Sequence, residues 1–210
     1  MPKPKVAVVK HEDYFTVKDA VRRSLELIGW PDGIIKPNQK VLIKVNSMCA
    51  VPPETAINVH PLVVKAVIEL VKETGAHVSV GESSAVYGSN FKALEMSGLK
   101  EAVEESGATL YDFEKTDICK VGVQGKILKE IYVPKPVLDA DVIVSLAKLK
   151  AHPFTAYTGA IKNFFGLIPG AGKQIVHYKH PYISDFSQAL VDIYSIAKPK
   201  LGIIDGIEGK

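Results

Sequence analysis

Apolar runs of strand length recur along the chain at residues 6–9, 41–45, 78–80, 109–111, 142–146 and 201–204. Between them lie segments in which apolar residues return every three or four positions, at 17–28, 61–74, 91–96, 99–106 and 184–197, which predicts helices there. Strands that are apolar almost throughout, separated by helices, predict an α/β fold: a mainly parallel sheet covered by helices on both faces. The clearest βαβ unit joins 41–45, 61–74 and 78–80, with Pro61 at the first helical position behind His60 and Gly75 just past the end. Residues 121–132 alternate around Gly122 and Gly125, which predicts a β-hairpin inserted near residues 119–134. No internal repeat or low-complexity linker interrupts the pattern, so residues 1–210 read as a single α/β domain.

The polar residues gather where the strands end. Asn46 follows 41–45, with Lys44 inside that strand; Glu82, Ser83 and Ser84 follow 78–80; Lys148, Lys150 and His152 follow 142–146; Asp205 follows 201–204. Open α/β sheets bind ligands outside the carboxyl ends of their strands, so these residues are candidates for one shared rim. A lysine inside a strand that is otherwise buried supports a site. The plainer reading is that loops after strands are polar anyway and that Lys44 and Glu82 form a structural ion pair.

The densest stretch is 142–166, VIVSLAKLKAHPFTAYTGAIKNFFG. If 147–152 stays extended, the period of two sends Lys148, Lys150 and His152 to one side. The following YTGAIKN predicts a helix start with Thr158 as N-cap and Lys162 and Asn163 close behind, a place suited to an anion.

Composition narrows the classes. A chain of 210 residues, 47% hydrophobic, can bury a sizeable core. Twenty-six Lys and Arg against 23 Asp and Glu leave a net charge of +3, too little for a nucleic-acid or membrane footprint. With no signal-like apolar core and no run of 18 apolar residues, the expectation is a soluble cytoplasmic protein. Cys49 and Cys119 stand far apart, which predicts free thiols and no metal or cluster motif. His152, His177 and His180 could join Glu82 or Asp205 around a metal, but no metal-ligand spacing such as H-E-x-x-H is present. GLIPGAGK (166–173) is not a phosphate loop, because five residues instead of four separate Gly166 from Gly172-Lys173 and Gln174 follows; it reads as a glycine loop able to close over a ligand. Without G-x-S-x-G, Ser83 and Ser84 are not expected to be nucleophiles.

The segments KVN (44–46), INVHPLVVKAVIELVKETGA (57–76), VGESS (80–84), DADVIVSLAKLKAH (139–152), TGAIKNFFGLIP (158–169) and GIIDGIEG (202–209) together resemble the family known as domain of unknown function 362. The likeness runs from about Lys36 onward. Its most specific part is Lys150-x-His152 followed by Thr158-Gly159-x-x-Lys162-Asn163-x-x-Gly166. The resemblance implies a prokaryotic protein of redox or cofactor-related metabolism, often fused to or encoded with ferredoxin-type [4Fe–4S] modules. This chain has no C-x₂-C-x₂-C-x₃-C run, so a [4Fe–4S] cluster would come only through a partner protein. Members usually continue past the Asp-Gly-Ile-x-Gly turn, so a C-terminal portion is expected to be lacking here.

The expected function is an enzyme acting on a small anion, a carboxylate or phosphate. Lys44, Lys148, Lys150, Lys162 and the helix start at Thr158 would bind it, Asn46 and Asn163 would orient it, and Glu82, Ser83, Ser84 and Asp205 would complete the rim. His152 is the expected proton carrier because an unperturbed imidazole titrates near neutrality, with Lys150 and Lys162 as catalytic lysines that depress one another's pKa. One alternative is a non-enzymatic accessory or electron-transfer partner of an iron–sulfur protein. Another is a metal-dependent enzyme using His152, His177 or His180 with a carboxylate. A nucleic-acid partner is not expected, since no basic stripe carries interleaved aromatics.

Overall fold

A computed structural model describes residues 4–84 and 88–209. Residues 1–3, 85–87 and 210 of the predicted domain lie outside that description. In chain order the main elements are α1 (Val17–Ile28), β1 (Lys40–Lys44), α2 (Pro61–Lys72), β2 (His77–Glu82), α3 (Asn90–Met96), α4 (Leu99–Glu105) and β3 (Thr109–Asp112). They continue with β4 (Ile118–Gly122), β5 (Glu130–Pro134), α5 (Lys135–Asp139), β6 (Val142–Lys148), β7 (Lys150–His152), β8 (Ala156–Thr158), α6 (Ala160–Asn163), α7 (Gly172–Lys179), α8 (Ile183–Ala197) and β9 (Leu201–Asp205).

Five strands form one parallel sheet in the order β3-β2-β1-β6-β9, the predicted architecture. Period-two alternation divides its core. On one face Val41, Ile43, Val78, Val80, Val142, Val144, Leu146 and Leu201 pack against α1, α2 and α4. On the other, Leu42 and Ile143 pack against Phe113, Phe164, Phe186 and Ile193, under α6 and α8. Each fully buried Phe or Ile side chain contributes roughly 1.5–3 kcal/mol through the water it no longer orders.

His60 caps α2, its Nδ1 accepting from the Leu62 N–H at 3.2 Å, with Pro61 at the first position as predicted. The predicted hairpin is β4 paired antiparallel with β5. Asp192 of α8 accepts the backbone N–H groups of Lys126, Ile127 and Leu128 at 3.2, 2.8 and 2.9 Å, which ties the hairpin loop to the domain. A Cβ at Gly125 would stand 2.4 Å from the Asp192 carboxyl carbon, so glycine is required there.

One predicted strand is absent. Residues 4–13 carry no regular element, and Val6 and Val8 are 85% and 90% exposed. Their β-propensity has no neighbouring strand to satisfy among the described residues. Among those residues, also, no helix is long and apolar enough to cross a membrane.

Candidate functional site

Lys44 follows Leu42 on the α6/α8 face of β1, which places a lysine where the alternation calls for an apolar side chain. It survives there by pairing: Nζ lies 2.7 Å from Glu82 Oε1 and donates to the Val45 carbonyl at 2.8 Å, with the two side chains 0% and 2% exposed. Glu82 turns at the end of β2 to accept the Ser83 N–H at 2.8 Å and the Ser47 N–H at 2.9 Å. Burial pulls the Lys44 pKa down and pushes the Glu82 pKa up, and their mutual attraction opposes both shifts. Gly166 packs directly on this pair: a Cβ there would stand 2.2 Å from Glu82 Oε1 and 2.6 Å from Lys44 Nζ. The plainer reading of Lys44 and Glu82 therefore holds, and the pair also floors a cavity, because Glu82 lines it.

That cavity, of about 650 Å³, opens at the carboxyl ends of β1 and β2, beneath the β7–β8 hairpin and α7. Asn46, Glu82, Ser83, Lys150, His152, Thr158, Lys162 and Asn163 all line it, so eight of the twelve predicted site residues converge. Lys44 and Ser84 lie directly behind the lining. Ser84 donates its N–H to Asn90 Oδ1 at 2.8 Å and its hydroxyl to Ser47 at 3.1 Å.

Lys148 and Asp205 are elsewhere. The extension through 147–152 that would align Lys148 with Lys150 is broken at Leu149, where β6 ends and the Leu149 N–H donates to the Asp205 carbonyl at 2.9 Å. Lys148 keeps the parity of Val144 and Leu146 and points to the α1/α2 face, opposite Asp205 in the β6–β9 register. There the two pair at 2.9 Å, 1% and 0% exposed, with Tyr14 bonded to both. Tyr14 stacks on His60 at 3.7 Å, and the His60 N–H donates to Asp205 at 3.1 Å.

Thr158 is not a cap. It closes β8, Gly159 takes the cap position with no side-chain bond, and α6 has only four residues, too short for a dipole-driven anion site. The Thr158 hydroxyl instead belongs to a set of three. Among the described residues, the buried side-chain polar atoms without a partner are Asn46 Oδ1, Thr158 Oγ1 and Asn163 Oδ1, all on residues lining this cavity. The Asn163 orientation is fixed, since Nδ2 donates to the Lys44 carbonyl at 2.8 Å and to the Ser145 hydroxyl at 3.1 Å. Unpartnered buried polar atoms are costly, and gathered at one cavity they mark where a ligand or water is taken.

Three amines reach the cavity. Lys150 donates to the Ile57 carbonyl at 2.7 Å, and burial, then the charge of Lys162, bring its pKa down to about 8. Lys162 is brought to about 8 by burial. Lys173 donates to Ser83 Oγ at 2.5 Å and the Ser84 carbonyl at 2.9 Å, and burial brings it to about 8 as well. The same Ser83 hydroxyl bonds to Glu114.

His152 departs from its expected titration. Its Nδ1 accepts the Phe154 and Thr155 N–H groups at 3.1 and 3.2 Å, while burial, then Lys162, lower its pKa to about 4. At neutral pH the ring is uncharged with its proton on Nε2, so it is a hydrogen-bond donor and not a group that titrates near pH 6.5.

The opposite wall comes from α7, through Lys173, Gln174, His177 and Tyr178. Sequence reasoning offered His177 only as a metal ligand and did not place Lys173, Gln174 or Tyr178 in the site. Their spacing of 173, 174, 177 and 178 is one helical face, but the glycine-rich start hid the helix. His177 stacks on Phe186 at 4.3 Å, and burial lowers its pKa. His180 does not line the cavity, and among the described residues no three His, Cys, Asp or Glu side chains come together as metal ligands. The segment read as a closing loop is fastened at both ends of its glycine-rich part, by the Gly170 N–H to Glu114 at 3.0 Å and by Lys173.

The fold resembles the lactate racemase apoprotein from Thermoanaerobacterium thermosaccharolyticum, with a TM-score of 0.58 and 14% identity over 97% of this chain and 52% of that one. At that identity the likeness is one of fold. In sequence, 189 residues are 30% identical to the thylakoid-associated protein sll1697 of Synechocystis sp., covering 90% of this chain and 58% of the relative. The chain thus spans little more than half the length of either protein. The model of the family described as Domain of unknown function (DUF362) matches residues 41–210, and the chain belongs to that family.

Proposed function

We propose that this protein is an enzyme that binds a small anionic substrate, a carboxylate or phosphate, in the cavity at the carboxyl ends of the parallel strands. One observation carries the reading. Three lysines face the cavity; Lys173 lies 3.9 Å from Glu114, and Glu82, the one carboxylate among the lining residues, is already paired with Lys44, which leaves Lys150 and Lys162 with no carboxylate partner among the described residues. Positive charge held out of water without a matching carboxylate is costly, and a bound anion removes that cost.

In this reading Lys150 and Lys162 hold the anion, and His152 donates to it from Nε2. Asn46, Thr158 and Asn163 accept from its other groups. The proton-carrying role passes from His152 to the amines, because a group with a pKa of about 8 exchanges protons near neutrality and one at about 4 does not. Lys150 and Lys173, buried in the cavity, are also out of reach of a docked protein surface, which favours a small ligand over a ferredoxin-type partner.

A thermal-shift screen of the untagged protein against phosphate, nucleotides and small carboxylates tests the reading. A ligand at 100 times its Kd adds about 2.7 kcal/mol of stability. The expected result is a rise in Tm with a carboxylate or phosphate that Lys150→Ala and Lys162→Ala each abolish. A rise that survives both substitutions would overturn the assignment.

A further inference from the structure

Five lysines lie in the core or line the cavity, and four have partners. Lys44 pairs with Glu82 and Lys148 with Asp205. Lys150 donates to the Ile57 carbonyl, and Lys173 to Ser83 and Ser84. Lys162 has neither a hydrogen bond nor an ion pair among the described residues, although it lies on the cavity wall. Its position is fixed from below, because its neighbour Asn163 is bonded to the Lys44 carbonyl and the Asn163 N–H to Gly159.

We infer that Lys162 is a covalent residue: its amine forms an imine with the carbonyl carbon of a 2-oxo carboxylate whose carboxylate group is held by Lys150 and His152. The inference rests on the anion reading and deepens it, by naming the substrate class and the bond formed. An amine without a carboxylate partner, half-buried in the cavity wall and close enough to Lys150 to lower its titration, keeps a neutral fraction with a free nitrogen lone pair at neutral pH. That fraction matches the lowered titration of Lys162. An anion alone would need charge at this position. A nucleophilic nitrogen is useful only against an electrophile, and a 2-oxo acid carries one next to its carboxylate.

The step is balanced within the site. The Lys162 nitrogen adds its lone pair to the carbonyl carbon while the C=O π electrons move to oxygen. Transfer of one proton from nitrogen to that oxygen gives the carbinolamine. The Lys150 ammonium then protonates the hydroxyl, the C–O bond breaks to release water, and the nitrogen lone pair forms C=N as an iminium. Nothing is oxidised or reduced.

The test is reduction in place. Untagged protein is incubated with pyruvate and treated with sodium borohydride, with and without excess propionate, which has the carboxylate but no ketone. Intact mass and peptide mapping then find the adduct. The expected result is one reduced adduct on Lys162, suppressed by propionate, and absent from Lys162→Arg. Mapping on the wild-type chain gives an answer even if that variant misfolds. An adduct on Lys150 or Lys173, or spread over surface lysines, overturns the assignment. So does the absence of any adduct when calorimetry shows that propionate binds, an outcome that leaves the anion reading standing. If neither pyruvate, propionate nor phosphate binds, the anion reading fails and this inference with it.

Discussion

Two buried lysine–carboxylate pairs stand on opposite faces of one sheet, and they differ in what covers them. Lys148–Asp205 is sealed: Tyr14 bonds to both partners, His60 stacks on Tyr14, and the backbone N–H groups of His60 and Ile207 complete the Asp205 carboxylate. Lys44–Glu82 is covered on one side by Gly166 and on the other by a cavity whose lining keeps three buried oxygens without partners. The same charged chemistry is closed in one place and left open in the other. Full satisfaction marks a structural role, and incomplete satisfaction beside an amine with no partner among the described residues, Lys162, marks a site that expects a ligand.

The largest effects come from breaking either pair. Glu82→Gln or Lys148→Met leaves one buried charge alone and should cost about 3–5 kcal/mol in chemical denaturation. The two faces separate when both partners are replaced. Lys148→Met combined with Asp205→Leu should recover most of the loss, since well-packed apolar groups often equal a buried pair. Recovery that also changed anion affinity would contradict the division of roles.

Gly166→Ala comes next. The added Cβ meets Glu82 Oε1 at 2.2 Å, so the pair must shift, at a cost of about 1–3 kcal/mol typical of overpacking. The same substitution should weaken anion binding, whereas Gly122→Ala, where an added Cβ meets nothing within 4 Å, should not.

Titration sharpens the contrast further. Lys150, Lys162 and Lys173 release protons at about 8 when folded, against 10.5 for a lysine in water. Between those values the unfolded chain holds more protons, so stability of the ligand-free protein should rise with pH from about 8 to 10.5. Below pH 8 both states are protonated and the burial penalty is present in full. Anion affinity should run the other way, strong below pH 8 and falling above it, because deprotonation removes the charge that holds the ligand. Denaturation midpoints and Kd values at pH 7 and 9.5 check both slopes. The smallest effect is at His152: His152→Ala should cost the bound anion about 1 kcal/mol, the worth of one hydrogen bond, with no inflection near pH 6.5.

Much of this was legible in the sequence. Near-continuous apolar runs and helical periods gave the parallel sheet and five of its helices, because burial on both faces leaves a strong imprint on residue choice. The rim residues after β1 and β2 were legible for the same reason, as polar positions ending apolar strands. Parity failed at Leu149, since a one-residue break between β6 and β7 leaves no mark in composition yet sends Lys148 to the α1/α2 face and Lys150 into the cavity. The start of α6 was legible with its cap one residue early, at Thr158 instead of Gly159, whereas α7 was obscured by Gly166, Gly170 and Gly172, which read as loop. The titration of His152 depends on Phe154 and Thr155 N–H groups aimed at its ring, a local turn that residue types do not announce. Val6–Val9 shows the opposite error, a strong strand pattern with no strand beside it.

The most direct test of the anion cavity is calorimetric titration of phosphate and propionate at pH 7 into three proteins: wild type, Lys150→Ala, and the double variant Lys148→Met with Asp205→Leu. The account predicts that at least one anion binds the wild type, that Lys150→Ala weakens it about tenfold or more, a loss of about 1.4 kcal/mol, and that the double variant binds as the wild type does. Equal weakening in both variants, or no binding of either anion to the wild type, would contradict it.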